Sequence, residues 1–102
     1  MVKKIACRCA NRDYSRLLEL FKTVADANRL RIICFLKRKE YCAGELAEAL
    51  GLPQNLASHH LKALRSVGLL SSRRQGKYIY YRTNEKGLAS FRSRIEEALG
   101  EC

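Results

Sequence analysis

Residues 45–64 read ELAEALGLPQNLASHHLKAL, and the reading of this stretch decides the fold. Two apolar patterns of helical period meet at Gly51-Leu52, so the stretch is expected to form two short helices joined by a tight turn. In the second, Ala57, His60, Leu61, Leu64 and Val67 recur at three-to-four spacing and mark the inward face. The opposite face collects Gln54, Asn55, Ser58, His59, Lys62 and Arg65. Pro53 suits a first helical turn, where its missing N–H leaves nothing unsatisfied. Short polar side chains near a helix start can reach base edges, and longer cations behind them can hold phosphates. An ordinary solvated helix presents a similar face, so the surrounding chain has to decide between the two.

Charge favours the first reading. The 102 residues carry a net charge of +10, unevenly placed. From Ala49 to Asn84 there is no Asp or Glu, yet Lys62, Arg65, Arg73, Arg74, Lys77 and Arg82 all fall there. A cationic face of this kind points to a polyanion, nucleic acid or anionic lipid. No apolar run approaches the ~20 residues that span a bilayer, and the start, MVKKIACRCANR, lacks the apolar core of a secretory signal. A cytoplasmic location is expected, with the five cysteines reduced. Their odd count and irregular spacing make a poor disulfide framework.

Working outward, residues 1–12 lack helical periodicity and carry Lys3, Lys4, Arg8 and Arg12, the composition of a flexible basic tail. Residues 13–102 are expected to form one domain. A first helix over 14–24 puts Tyr14, Leu17, Leu18, Phe21 and Val24 on one face. Asp26 is a suitable N-cap for a second, over 28–37, whose apolar residues wrap most of its circumference. A third starts near Cys42, where Glu45 supplies the acid half of a capping box. After the helix that ends at Gly68, residues 69–74 and 77–82 read as strands joined across Gln75-Gly76. Asn84 can cap a last helix with a stripe of Leu88, Phe91, Ile95 and Leu99.

The result is a mainly α domain with a small β-hairpin, in the order α-α-α-α-β-β-α. That is the order of a winged helix-turn-helix, in which the hairpin lays its arginines along the DNA backbone or into the minor groove. Binding to lipid fits less well, because the cationic helix and hairpin lack a broad apolar membrane face.

Three runs, FKTVADANRLRIICFL, YCAGELAEALGLPQNLASHHLKALRSVGLL and SSRRQGKYIYY, resemble the ArsR/SmtB family of repressors over residues 20–82, in family order and spacing. The resemblance implies a homodimer paired through the first and last helices on a palindromic double-stranded operator. It implies DNA contacts from Gln54, Asn55, Ser58, His59 and Lys62, with Arg73, Arg74 and Lys77 on the wing. Pro53 departs from the family, where many relatives carry a capping Ser. The last helix must bury its stripe somewhere. With Leu17, Leu18 and Phe21, the residues Leu88, Phe91, Ile95 and Leu99 could form a two-fold interface or complete the core of one chain.

The resemblance also implies a thiophilic metal near the start of the third helix, with Cys42 as a ligand. A thiolate there gains from the helix N-terminus. Relatives with an all-thiolate site carry a second Cys two positions on, where this chain has Gly44. By analogy with relatives whose N-terminal cysteines reach the partner subunit, Cys7 and Cys9 would complete a three-sulfur site. Residues two apart in an extended tail project to the same side. Three thiolates suit As(III), Sb(III) or Pb(II), while Cd(II) or Zn(II) would want a fourth. Cys34, in the most apolar helix, is expected in the core, and Cys102 is a supplementary ligand at most. The family's other site, on the last helix, falls on Glu85, Gly87, Ala98 and Glu101, two of which cannot ligate. For His59 and His60, DNA contact and packing are simpler roles than a metal.

The expected function is a transcriptional repressor released from its operator by a thiophilic metal or metalloid. Two other readings keep the fold. One makes Cys7, Cys9 or Cys42 oxidisable, giving a redox or reactive-sulfur sensor. The other is an architectural DNA-binding protein without an effector. No nucleophile and base fall together, so an enzyme is not expected.

Overall fold

The computed structural model describes residues 13–100, so the basic tail of residues 1–12, with Cys7 and Cys9, and Cys102 lie outside the described residues. Five helices and three strands follow in the order α1 (Ser15–Val24), α2 (Ala27–Phe35), β1 (Tyr41–Cys42), α3 (Ala43–Leu50), α4 (Gln54–Ser66), β2 (Leu70–Gln75), β3 (Tyr78–Thr83) and α5 (Glu85–Leu99). This is a winged helix-turn-helix.

The caps explain why the chain breaks where it does. Asp26 accepts hydrogen bonds from the backbone N–H groups of Asn28 (2.8 Å) and Arg29 (3.2 Å), which starts α2. At α3, the Glu45 carboxylate accepts from the Cys42 N–H at 3.0 Å, closing the box whose other half is the Cys42 sulfur. Gly51 ends α3 with φ of 67°, in the left-handed region that glycine enters without a Cβ clash. Pro53 stands one residue earlier than expected, as the N-cap of α4, and its carbonyl accepts from the Ala57 N–H at 3.0 Å.

The core joins Leu20 of α1, Ile32, Ile33 and Leu36 of α2 and its C-cap, Leu46 of α3, and Leu61, Leu64 and Val67 at the end of α4. Leu69, just before β2, and Leu70 and Tyr81 of the sheet close it. In α1 the inward row is Leu17, Leu20 and Val24, so Leu18 and Phe21 of the expected stripe stay on the surface. One expectation is overturned in α2. Cys34 is exposed, not in the core. With Ile32, Ile33 and Leu36 facing inward, a residue two positions from Ile32 is turned about 200° away. Cys34 instead lines a groove with Arg31 and Arg38.

The hairpin is wider than the sequence implied. Its strands register Gln75 against Tyr78, so the two-residue loop is Gly76-Lys77, one position later than expected. β1 pairs antiparallel with β3, Tyr41 against Tyr81 and Cys42 against Tyr80, giving a sheet of order β1-β3-β2. The residue that caps α3 is thereby also a residue of the wing sheet.

α5 returns across the end of α4. The Asn84 side chain accepts from the Gly87 N–H at 3.3 Å and donates to the Gly68 carbonyl at 3.1 Å. A Cβ at Gly87 would stand 1.9 Å from that same carbonyl oxygen, so the helix can start here only with glycine at this position. Phe91 meets Phe21 of α1 edge to face at 5.5 Å. None of the fifteen residues of α5 is buried.

Candidate nucleic-acid interface

α4 is seated by its inward residues. Ala57, His60, Leu61 and Leu64 are buried, and Leu61 and Leu64 are fully so. His60 is the polar member of the row. Arg29 of α2 donates from Nε to His60 Nδ1 at 3.0 Å and from a terminal nitrogen to the Thr23 carbonyl at 3.0 Å. An accepting Nδ1 requires a neutral ring, and burial pushes the His60 pKa below its ordinary 6.5, with Arg29 and His59 adding to the effect against Asp26. His60 therefore holds α4 to α2 and faces away from the outer surface. With those residues inside, Gln54, Asn55, His59 and Lys62 are exposed and Ser58 is half-buried, all on the outer side.

The wing presents Arg73, Arg74, Lys77, Tyr78 and Ile79 to solvent. The pleat separates its two arginines, because neighbouring strand residues point to opposite faces. Arg73 pairs across the strands with Tyr80, and its guanidinium lies 5.0 Å from the Tyr80 ring centre. The same guanidinium holds Glu40, with Nε 2.9 Å from each carboxylate oxygen and a terminal nitrogen in close contact. It also donates to Gln75 at 2.7 Å. Arg73 keeps the Glu40 carboxyl below its usual range. Arg74 pairs with Ile79 on the other face, which it shares with the buried Leu70 and Tyr81. Its side chain donates one long hydrogen bond among the described residues, 3.4 Å from Nε to the Gly76 carbonyl. The sequence treats these two arginines as equals, and Glu40 was missed altogether. The one available signal was its place as the lone acid between Asp26 and Glu45.

Cys42 is half-buried at the junction of β1 and α3. Its sulfur is a soft donor at a helix start, which fits a thiophilic ion. One sulfur does not make a site, and no group of three ligating side chains occurs among the described residues. Further donors would have to come from Cys7 and Cys9, outside them. Of the residues expected at a two-fold interface, Leu17 is buried within the single chain. Leu88, Phe91 and Ile95 are half-buried, and Leu18, Phe21 and Leu99 are exposed, Leu99 at 79%. No helix among the described residues is long and apolar enough to cross a membrane.

This architecture has known counterparts. Residues 26–72 match the model of the family described as bacterial regulatory protein, arsR family. The arsenical resistance operon repressor of Escherichia coli is 44% identical over 66 residues, covering 64% of this chain and 56% of that protein. The cadmium resistance transcriptional regulatory protein CadC of Listeria innocua is 31% identical over 81 residues, covering 78% of this chain and 68% of that one. Among solved structures, the homodimeric winged helix-turn-helix DNA-binding domain from Mycobacterium bovis superposes with a TM-score of 0.70 at 28% identity, over 99% of this chain and 94% of that one. The chain spans between 50% and 65% of the length of several other curated relatives. The curated proteins just described are regulators, not enzymes.

Proposed function

Because the chain belongs to the arsR family of bacterial regulatory proteins, we propose that it is a homodimeric repressor that leaves its operator when cysteines take up a thiophilic ion. The observation that carries the reading is the placement of Cys42. It belongs at once to the helix-turn-helix, as the cap of α3, and to the wing, through β1. Anything that moves Cys42 acts on both DNA-binding elements.

In this reading Gln54, Asn55, Ser58 and His59 face base edges, and Lys62, Arg74 and Lys77 face phosphates. Arg73, held by Glu40 on the other side of the sheet, serves mainly to set the wing. Leu18, Phe21, Leu88, Phe91, Ile95 and Leu99 meet their two-fold counterparts, which gives α5 the burial it lacks within one chain. Cys7 and Cys9 join Cys42 around the ion. The resistance proteins of Escherichia coli and Listeria innocua, whose names refer to arsenic and cadmium, support As(III) and Cd(II) as the first ions to try, ahead of Sb(III), Pb(II) and Zn(II).

The test starts from an operator selected out of a random duplex pool. As(III) and Cd(II) are titrated against the preformed complex for the parent protein and for Cys7→Ser, Cys9→Ser and Cys42→Ser. The parent should release DNA, and each variant should bind DNA normally but resist release. Linkage requires operator DNA to weaken ion binding by the same factor, typically ~1–3 kcal/mol of coupling. Release of the Cys42→Ser protein at the parent's ion concentration would sink the three-sulfur reading.

A further inference from the structure

A cavity of about 380 Å³ opens where the start of α3, the outer face of α4 and the tip of the wing meet. Ser58 and Lys62 reach it from α4, Lys77 from the wing, and Cys42, Ala43 and Gly44 from the first turn of α3. Two lysines from separate elements therefore line one space with Ser58 and a helix start, the Lys77 ammonium lying 5.4 Å from the ring centre of Tyr78, and none of the lining residues is acidic. The capping box takes up the N–H groups of Cys42 and Glu45, which leaves those of Ala43 and Gly44 at the helix start to favour an anion. The cavity also lies between the surface that faces base edges and the hairpin that follows the backbone.

We propose that this cavity seats one phosphate of the DNA backbone, and that Cys42 is part of the wall of the seat. Lys62 and Lys77 hold the phosphate from two sides, and Ser58 stands at the α4 edge of the seat, beside the surface that faces base edges. DNA in the seat covers the Cys42 sulfur. The same geometry deepens the sensor reading, on which the next step rests. An ion gathered on Cys42 takes space that the phosphate needs, so ion and DNA compete at one place.

The seat is tested without any ion. The rate at which iodoacetamide alkylates each cysteine is followed by peptide mass spectrometry, in the free protein and in a complex saturated with random-sequence duplex. Cys42 should react several-fold more slowly in the complex. Cys34, which lines a separate groove on α2, should react at an unchanged rate. An unchanged rate at Cys42, or equal slowing at both cysteines, overturns the proposal. A second arm places a charge in the wall. Cys42→Asp adds a carboxylate at an N-cap, where Asp is favoured, so the fold is retained. It should weaken binding to all DNA sequences several-fold relative to Cys42→Ser, and equal binding by the two variants again overturns the seat. Lys62→Gln and Lys77→Gln should each lower the salt slope by about one. If As(III) and Cd(II) leave the parent complex intact while DNA still shields Cys42, the seat stands and only the sensor reading falls.

Discussion

His60 takes the proton badly because it is buried and already accepts from Arg29. Its folded pKa lies below the ordinary 6.5, so as pH falls the unfolded chain takes up the proton first. The stability this group contributes is complete above pH 6.5 and is lost as pH drops through that value toward the folded pKa. The urea midpoint should therefore fall over this window, and His60→Gln should flatten the dependence even where it lowers stability overall. An unchanged slope in the variant would assign the effect elsewhere. Arg73 and Arg74 separate at the same scale. Arg74→Ala should lower the salt slope of DNA binding by about one, as the loss of a phosphate contact does. Arg73→Ala should leave that slope alone and instead raise hydrogen exchange in β2 and β3, because its charge is already answered by Glu40. If both variants change the slope equally, Glu40 releases Arg73 to DNA and the division fails.

Among the elements, α5 depends on one close approach. It begins against the Gly68 carbonyl, where a Cβ at Gly87 has no room. Gly87→Ala should cost roughly 1–3 kcal/mol, the range for forcing extra volume into a packed site. Thermal unfolding reads the loss, and it should be accompanied by weaker dimerisation, since α5 carries four of the six residues of the proposed interface. The hairpin teaches a different lesson. Alternation and the Gln-Gly pair made it legible in sequence, but its loop is displaced by one residue because pairing of Leu70 with Thr83 fixes the register. The two residues of β1 carried no detectable period, being too few, and only the edge of β3 makes them a strand.

For the whole molecule, exposure within one chain predicts two kinds of interface variant. Leu99→Glu combined with Leu18→Glu places charge on side chains that a single chain leaves in water. The protein should stay helical by circular dichroism, sediment as a monomer and lose operator affinity. Leu17→Glu buries its charge in the chain itself and should unfold it. A folded monomer that still binds a palindrome at parental affinity would contradict the two-fold reading.

By itself the sequence determined the local elements of this protein: the caps at Asp26 and Asn84, the break at Gly51, the inward row of α4 and the cationic wing. Those are properties of neighbouring residues, set by helical period, φ and charge. Tertiary structure alone decided that Cys34 faces out, that Glu40 holds Arg73, that Arg29 meets His60, and that Cys42 opens into a cavity shared with Lys62 and Lys77. Each of these joins residues far apart in the chain or depends on which face of an element the neighbouring elements cover. A helix with one apolar stripe, like α4, shows its inward row in sequence, but in one apolar most of the way round, like α2, the inward residues are fixed only when other elements pack against it.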